Sequence, residues 1–394
     1  MLAPLTPQMA QQLLSPSARV LVAAAMPGTP TAGTLPWHEV HWPTLVSLMA
    51  YERAETQVCR LLRAEPDRVP EDVRSVAKGL DRVSRFRAAE LSDAAASVVD
   101  ALAAASVPVL WLKGAALAMQ REEGFGVRGM GDLDLLVTPA DADRARAALT
   151  GAGWMTPDAS GYGGHHHEAP MRRPGGLRLE LHTALFPANH PFADESAEAW
   201  LGRAREVMWG SRRVFVLPTP WHVLHASVHW AWSHEGTVGT WQYLHDMHRL
   251  TAGWRPDGAE WTAVGENAKR MGAAVPVGWA IWTAWRLSGL DCGDRVMNRL
   301  RGRLRLLDGV VERQWVLATF QSPAGSPSVR WSRFWWRRAM QGLGDVGERW
   351  PWRTGRGAVP SVRPGPGPAA ADGGRSRWSR WSRWRRHLGR VLGT

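Results

Sequence analysis

Apolar side chains recur at helical spacing over residues 37–62, with Leu45, Leu48 and Met49 followed by Val58, Leu61 and Leu62. The pattern predicts amphipathic helices. A proline-bearing break at 65–70 separates them from a longer helical pattern over 71–105, marked by Leu80, Val83, Phe86, Leu91, Val98, Val99 and Leu102. The period then changes. Val107 to Leu112 and Leu133 to Val137 are short apolar runs of strand length, and Pro108 falls at a strand start, where its missing N–H is tolerated. Between the runs, Lys113 and Gly114 make a turn, and residues 115–120 are strong helix formers. Thr138 and Pro139 suit the N-cap and first position of a helix reaching Leu149 and stopping at Gly151 or Gly153. A β-hairpin is predicted next, residues 165–171 pairing with 177–182 around Pro174, Gly175 and Gly176. Its second arm alternates, Leu177, Leu179 and Leu181 against Arg178, Glu180 and His182. From Thr219 the pattern is helical again and rich in tryptophan, with helices expected over 221–234, 241–250, 261–290 and 299–321. Helix, strand, short helix, strand and helix in that order give a mixed sheet layered with helices, an α+β class.

Composition divides the chain. Residues 1–35, rich in Pro, Gly, Ala and Thr, allow a helix around Pro7–Leu14 and otherwise read as a flexible N-terminal arm; 36–106 is an N-terminal helical region, 107–218 an α/β core and 219–321 a C-terminal helical region. Residues 322–394 read as a disordered, low-complexity tail. The net charge of +12 belongs to that tail: residues 330–394 hold 15 arginines and 3 acids, while the 329 residues before them balance 33 bases against 33 acids. Tryptophans at 378, 381 and 384 recur among arginines. Such a segment fits stacking and phosphate contact with nucleic acid, or contact with an anionic membrane surface; drift between neighbouring Trp and Arg codons produces the same pattern. Cys59 and Cys292 stand apart without metal-ligand spacing, so no disulfide framework is expected and a reducing cytoplasm is the default. No run of 18 apolar residues occurs. The first residues, with Arg19 as their one base before a short apolar run, do not read as a signal peptide.

The candidate chemistry sits where the strands meet. Asp132 and Asp134, at i and i+2, share one strand face, opposite Leu133, Leu135 and Val137. Two carboxylates so close repel unless a cation lies between them. Mg²⁺ takes one or two carboxylates and shares its other positions with substrate phosphates. Lysine is scarce, three against 45 arginines, which draws attention to Lys113 as a compact ammonium for a phosphate oxygen; snorkelling at a strand end is the alternative. Gly114 at a helix start offers N–H groups to an anion. Arg128 is either a surface charge or a phosphate clamp. His225 and His229 have the i, i+4 spacing of a zinc helix, but Ala226 follows the first histidine where the zinc-protease motif has its glutamate. With His222 they suit an aromatic-lined pocket or a satisfied core, and a His-rich metal hydrolase is a weaker reading. His165 to His167 read as an exposed strand, with substrate contact left open.

The Lys113-Gly114 turn, the run from Arg128 through Gly131 and Asp132 to Val137, the Glu180-Leu181-His182 strand and the segment Trp241, Tyr243, Asp246 together resemble a bacterial family of uncharacterised nucleotidyltransferases within the polymerase β-like superfamily. The resemblance covers roughly 37–290. It implies a polymerase β-like mixed sheet core flanked by helical regions and a metal-dependent transfer of a nucleoside monophosphate from an NTP to an acceptor hydroxyl or amine. It also implies that Asp132, Asp134 and Glu180 are catalytic and hold Mg²⁺ or Mn²⁺, and that Lys113, Gly114, Ala115, Arg128 and His182 contact the nucleotide. The superfamily commonly has Gly-Gly or Gly-Ser where this chain has Gly114-Ala115, and a shorter interval to the acidic pair. The acceptor is not specified: a small molecule, a peptide or RNA each fits. A catalytically inactive protein of this fold, binding nucleic acid or membrane through residues 330–394, is the alternative.

Overall fold

A computed structural model describes residues 5–26, 35–156, 169–186, 192, 195–236, 238–301, 316 and 320. All of these belong to the first of two units, Met1–Asp345; the second, Val346–Thr394, lies outside the described residues. The chain opens with α1 (Pro7–Leu13) and α2 (Pro16–Ala23). Helix α1 falls where the sequence allows one around Pro7–Leu14, and α2 lies in the part that reads as a loose arm. Thr6 and Ser15 each accept an N–H three residues on, a proline follows each cap, and Val20, Leu21 and Val22 are buried.

Then come α3 (Trp42–Tyr51), α4 (Glu55–Ala64) and the 34-residue α5 (Glu71–Ala104). Strand β1 (Leu110–Trp111), α6 (Lys113–Ala118), β2 (Asp132–Leu136) and α7 (Ala142–Gly151) follow, with Thr138 accepting from the Asp141 N–H ahead of α7. Strand β4 (Leu177–His182) is the second arm of the expected hairpin, while β3 (Met171–Arg173) shares only Met171 with the expected first arm. Gly175 and Gly176, both at positive φ, make the turn. His165 to His167 lie outside the described residues.

Helix α8 (Ala197–Arg203) leads to a hairpin absent from the sequence reading, β5 (Arg205–Trp209) and β6 (Arg212–Val216). The expected helix at 221–234 is α9 (Thr219–Val228), continued by a π-helical turn, His229–Ser233. After α10 (Thr240–Leu250), the region 261–290 is two helices, α11 (Ala259–Arg270) and α12 (Ala274–Ser288), parted at Gly272 with φ +68°. Helix α13 (Asp294–Arg301) ends the described helices; most of the expected 299–321 helix and the whole basic tail fall outside the described residues. Among the described residues, no helix is long and apolar enough to cross a membrane.

The six strands form one mixed sheet in the order β3-β4-β2-β1-β6-β5. Strand β2 runs parallel to β4 and antiparallel to β1, which is parallel to β6. Strand alternation divides the sheet's work. Leu133 and Leu135 of β2 and Leu177, Leu179 and Leu181 of β4 bury against Leu91, Val98 and Leu102 of α5 and Leu149 of α7. The opposite face of the same strands carries the acids.

One buried acid links the N-terminal helices to the C-terminal ones. Glu52, which follows α3, is 3% exposed and accepts the Trp241 N–H at the start of α10, at 3.0 Å. Burial raises its carboxyl pKa from 4.5 to about 7, against the opposing pull of that N–H. The folded state therefore holds this proton more tightly than the unfolded chain. The resulting stability is complete below about pH 4.5 and is lost as pH rises through about 7, a change on the order of 3 kcal/mol. Glu52→Gln keeps an acceptor oxygen and removes the titration. Urea denaturation is expected to show the stability difference between variant and wild type shifting in the variant's favour as pH rises across that window; a constant difference would refute the assignment.

Candidate active site

The parallel register sets Asp132 beside Arg178, Asp134 beside Glu180 and Leu136 beside His182. Paired residues of neighbouring strands project to the same side, so both aspartates, Glu180 and His182 share one face. Among the described residues, Asp134, Glu180 and His182 form a group able to hold a metal ion, each offering one donor atom, all within 4.8 Å of one another. His182 Nε2 lies 3.0 Å from Asp134 Oδ1 and 3.9 Å from Glu180 Oε2. The other Glu180 oxygen accepts from Arg178 Nη2 at 2.9 Å.

Lys113 closes the cluster. The Leu112 N–H donates to the Asp134 carbonyl at 3.0 Å, which fixes the end of β1 against β2. Lys113 then turns at φ +49°, a left-handed conformation costing about 1–2 kcal/mol for a residue with a Cβ. From there Nζ donates to Asp134 Oδ1 at 2.6 Å. Burial opposes the ammonium charge, but Asp134, Asp132 and Glu180 together raise its pKa. Burial alone would lift the Asp134 carboxyl; Lys113 and His182 outweigh it and hold that group well below the usual carboxylate range. Asp132 goes the other way, raised to about 6 by burial and by the charges of Asp134 and Glu180 against those of Lys113 and Arg53. His182 is lowered by burial and is therefore neutral near pH 7, the form that can ligate a metal.

Arg128 and Gly114 meet, but through packing. A Cβ at Gly114 would stand 2.7 Å from Arg128 Nη2 and 2.7 Å from Met130 Sδ. The Arg128 guanidinium is buried and forked onto Asp246 of α10, Nε to Oδ1 at 2.7 Å and Nη2 to Oδ2 at 2.8 Å, while Nη1 donates to the Gly129 carbonyl at 3.0 Å. Gln242 Nε2 donates to the same carbonyl at 3.0 Å. The loop entering β2 is thus tied to α10 at two points. Ala115 is buried in α6 and contributes to the core beneath this turn.

The histidines of α9 lie within electrostatic reach of the cluster. His222 and His225 are buried, and burial lowers the pKa of His222 to about 4 and that of His225 well below the ordinary value. The charge of Lys113 also bears on His225, His229 and His234. Their rings form a run: Phe186 to His225 at 5.7 Å, His225 to His229 at 6.0 Å and His229 to His234 at 4.4 Å between centroids. The π-helical turn that begins at His229 belongs to a class of distortion frequent at functional sites.

Arg53 was missed from sequence. It lies in the turn between α3 and α4, far along the chain from the acids, and packs against both glycines that flank Met130. The pair Gly129 and Gly131, two residues without Cβ immediately before an acidic strand, was the available signal of a close approach.

The model of a family described as uncharacterised nucleotidyltransferase matches residues 38–289. The chain belongs to that family. The match takes in α3 to α12, and with them the sheet, the acidic face, the Arg128–Asp246 pair and the α9 histidines. The family supports nucleotidyl transfer, and hence a transferase, at that coarse level. No curated protein and no solved structure matched the chain.

Proposed function

We propose that this nucleotidyltransferase-family chain moves a nucleoside monophosphate from an NTP to an acceptor hydroxyl or amine at the face formed by β2 and β4, on a polymerase β-like arrangement. One observation carries the reading: Asp134, Glu180 and His182 converge within 4.8 Å beside Asp132, in a member of this family. The Asp134 and Glu180 carboxylates are fitting donors for Mg²⁺ or Mn²⁺, and the neutral His182 imidazole adds a nitrogen donor to the group. Lys113 Nζ donates to Asp134 Oδ1 at 2.6 Å, so a cationic group already balances this carboxylate.

Asp134, Glu180 and His182 would hold the ion, with Asp132 at the edge of the set. When bound, the ion supplies charge neutralisation at the triphosphate and the leaving pyrophosphate. Lys113, with the Gly114-Ala115 turn, positions phosphate oxygens. Glu180 completes the ligand set or takes the acceptor's proton. Arg128, paired with Asp246, holds the loop that sets the Asp132 strand. The aromatic and histidine run from Phe186 to His234 is the wall against which an acceptor or base packs.

Incubating the full chain and a cell lysate with each α-labelled NTP, with Mg²⁺ or Mn²⁺, tests this. Metal-dependent labelling of an acceptor, with release of pyrophosphate and loss in Asp132→Asn, is expected. Absence of transfer with every NTP and both metals, from protein shown to be folded, would overturn it. The tail-mediated binding reading concerns residues outside the described ones.

A further inference from the structure

We propose that Arg53 binds the outer phosphates of the nucleoside triphosphate. This rests on the reading of the site as a nucleotidyltransferase centre, and it brings the N-terminal helical layer into that centre.

The placement comes from glycine geometry. A Cβ on Gly129 would stand 2.6 Å from the Arg53 carbonyl oxygen and 2.9 Å from its Cβ. A Cβ on Gly131 would overlap the Arg53 guanidinium at Nη1. The backbone of the turn therefore rests on one glycine, and the charged group lies across the other, one residue before Asp132. The turn is anchored on both sides of Arg53: Glu52 accepts the Trp241 N–H, and the Ala54 N–H donates to the Met49 carbonyl at 2.9 Å. Arg53 itself sits at φ +55°, a strained conformation for a residue with a Cβ. The backbone is fixed while the residue stays exposed.

The cations of the site differ in what they already hold. Lys113 is bonded to Asp134, and Arg128 is forked onto Asp246. Among the described residues, no carboxylate lies within ion-pair distance of Arg53. Its charge still reaches Asp132, whose carboxyl it helps to lower. A guanidinium at the rim of the acidic cluster proposed to hold the metal, preset by its backbone and not consumed by an ion pair, suits phosphate oxygens that would extend from that cluster. A simple counter-charge for Asp132 is the competing role.

Calorimetry on the full chain with Mn²⁺ separates the two. The probes are a non-hydrolysable NTP analogue, tripolyphosphate and the corresponding nucleoside monophosphate. Arg53→Gln is expected to weaken binding of the analogue and tripolyphosphate roughly 10–100-fold, the loss of one or two charged hydrogen bonds. Monophosphate binding and Mn²⁺ affinity without nucleotide should stay within about twofold on the same reasoning. Arg53→Lys should recover part of the loss. Gly131→Ala keeps the charge but pushes the guanidinium aside, and should weaken triphosphate binding in the same direction; it also serves if Arg53→Gln fails to fold. Triphosphate binding unchanged in Arg53→Gln and Gly131→Ala, while wild type binds the analogue, would overturn the role of Arg53 and leave the nucleotidyltransferase reading standing. Wild type that binds neither the analogue nor tripolyphosphate would overturn both.

Discussion

Asp134→Asn is expected to abolish Mn²⁺ binding and any nucleotidyl transfer. Asp134 is 3% exposed, and its Oδ1 alone meets both Lys113 and His182. Asparagine keeps the shape, yet it removes the charge and turns one acceptor into a donor facing an ammonium. Losing an outer partner of a metal ligand already costs roughly 10–100-fold in affinity, and losing a ligand at the centre of the set should exceed that. Calorimetric titration of Mn²⁺ into wild type and variant measures it. Wild-type affinity should also fall below about pH 6, because the raised Asp132 must give up its proton before its charge can serve the site. Equal Mn²⁺ affinity in wild type and Asp134→Asn would remove Asp134 from the metal site.

The second large effect concerns the fold. Asp246→Ala strands the Arg128 guanidinium, a group 9% exposed, without its carboxylate. Breaking one side of a buried pair costs about 3–5 kcal/mol. Chemical denaturation is expected to show a loss of that size. The double replacement Arg128→Met, Asp246→Leu should recover most of it, since a buried pair exchanged for apolar packing is often neutral. A loss below about 1 kcal/mol in Asp246→Ala, the scale of a surface pair, would mean that this pair does not hold the loop before β2. The coupling to function follows from position. The same guanidinium fills the space over Gly114 and donates to Gly129, so its release loosens the turn at Gly114 and the loop entering the acidic strand.

The acids were legible because strand geometry is local. Alternation fixed which side of β2 carries Asp132 and Asp134, and the buried leucines of β2 and β4 left Glu180 and His182 the same side. The long helix α5 followed from its periodicity, and the α10 segment of Trp241, Tyr243 and Asp246 from resemblance. What escaped depends on chain approaches that no short window contains. Arg128 and Asp246 stand 118 positions apart, and Arg53 reaches the site only because two glycines let another turn in. Helix α2 escaped because Pro and Ala content outweighed the Ser15-Pro16 cap that starts it. The β5–β6 hairpin was hidden by exposure: most of β5 faces outward and carries Arg205 and Glu206, so no apolar alternation marks it. The break in α9 into a π turn leaves no trace in helical periodicity at all.

The most direct measurement is electron spin-echo spectroscopy of Mn²⁺ bound to the full chain. The structure predicts one bound ion with nitrogen coupling from a single imidazole, lost in His182→Gln and shifted when an NTP analogue is added. A spectrum without nitrogen coupling, or one unchanged by His182→Gln, would contradict the site built from Asp134, Glu180 and His182.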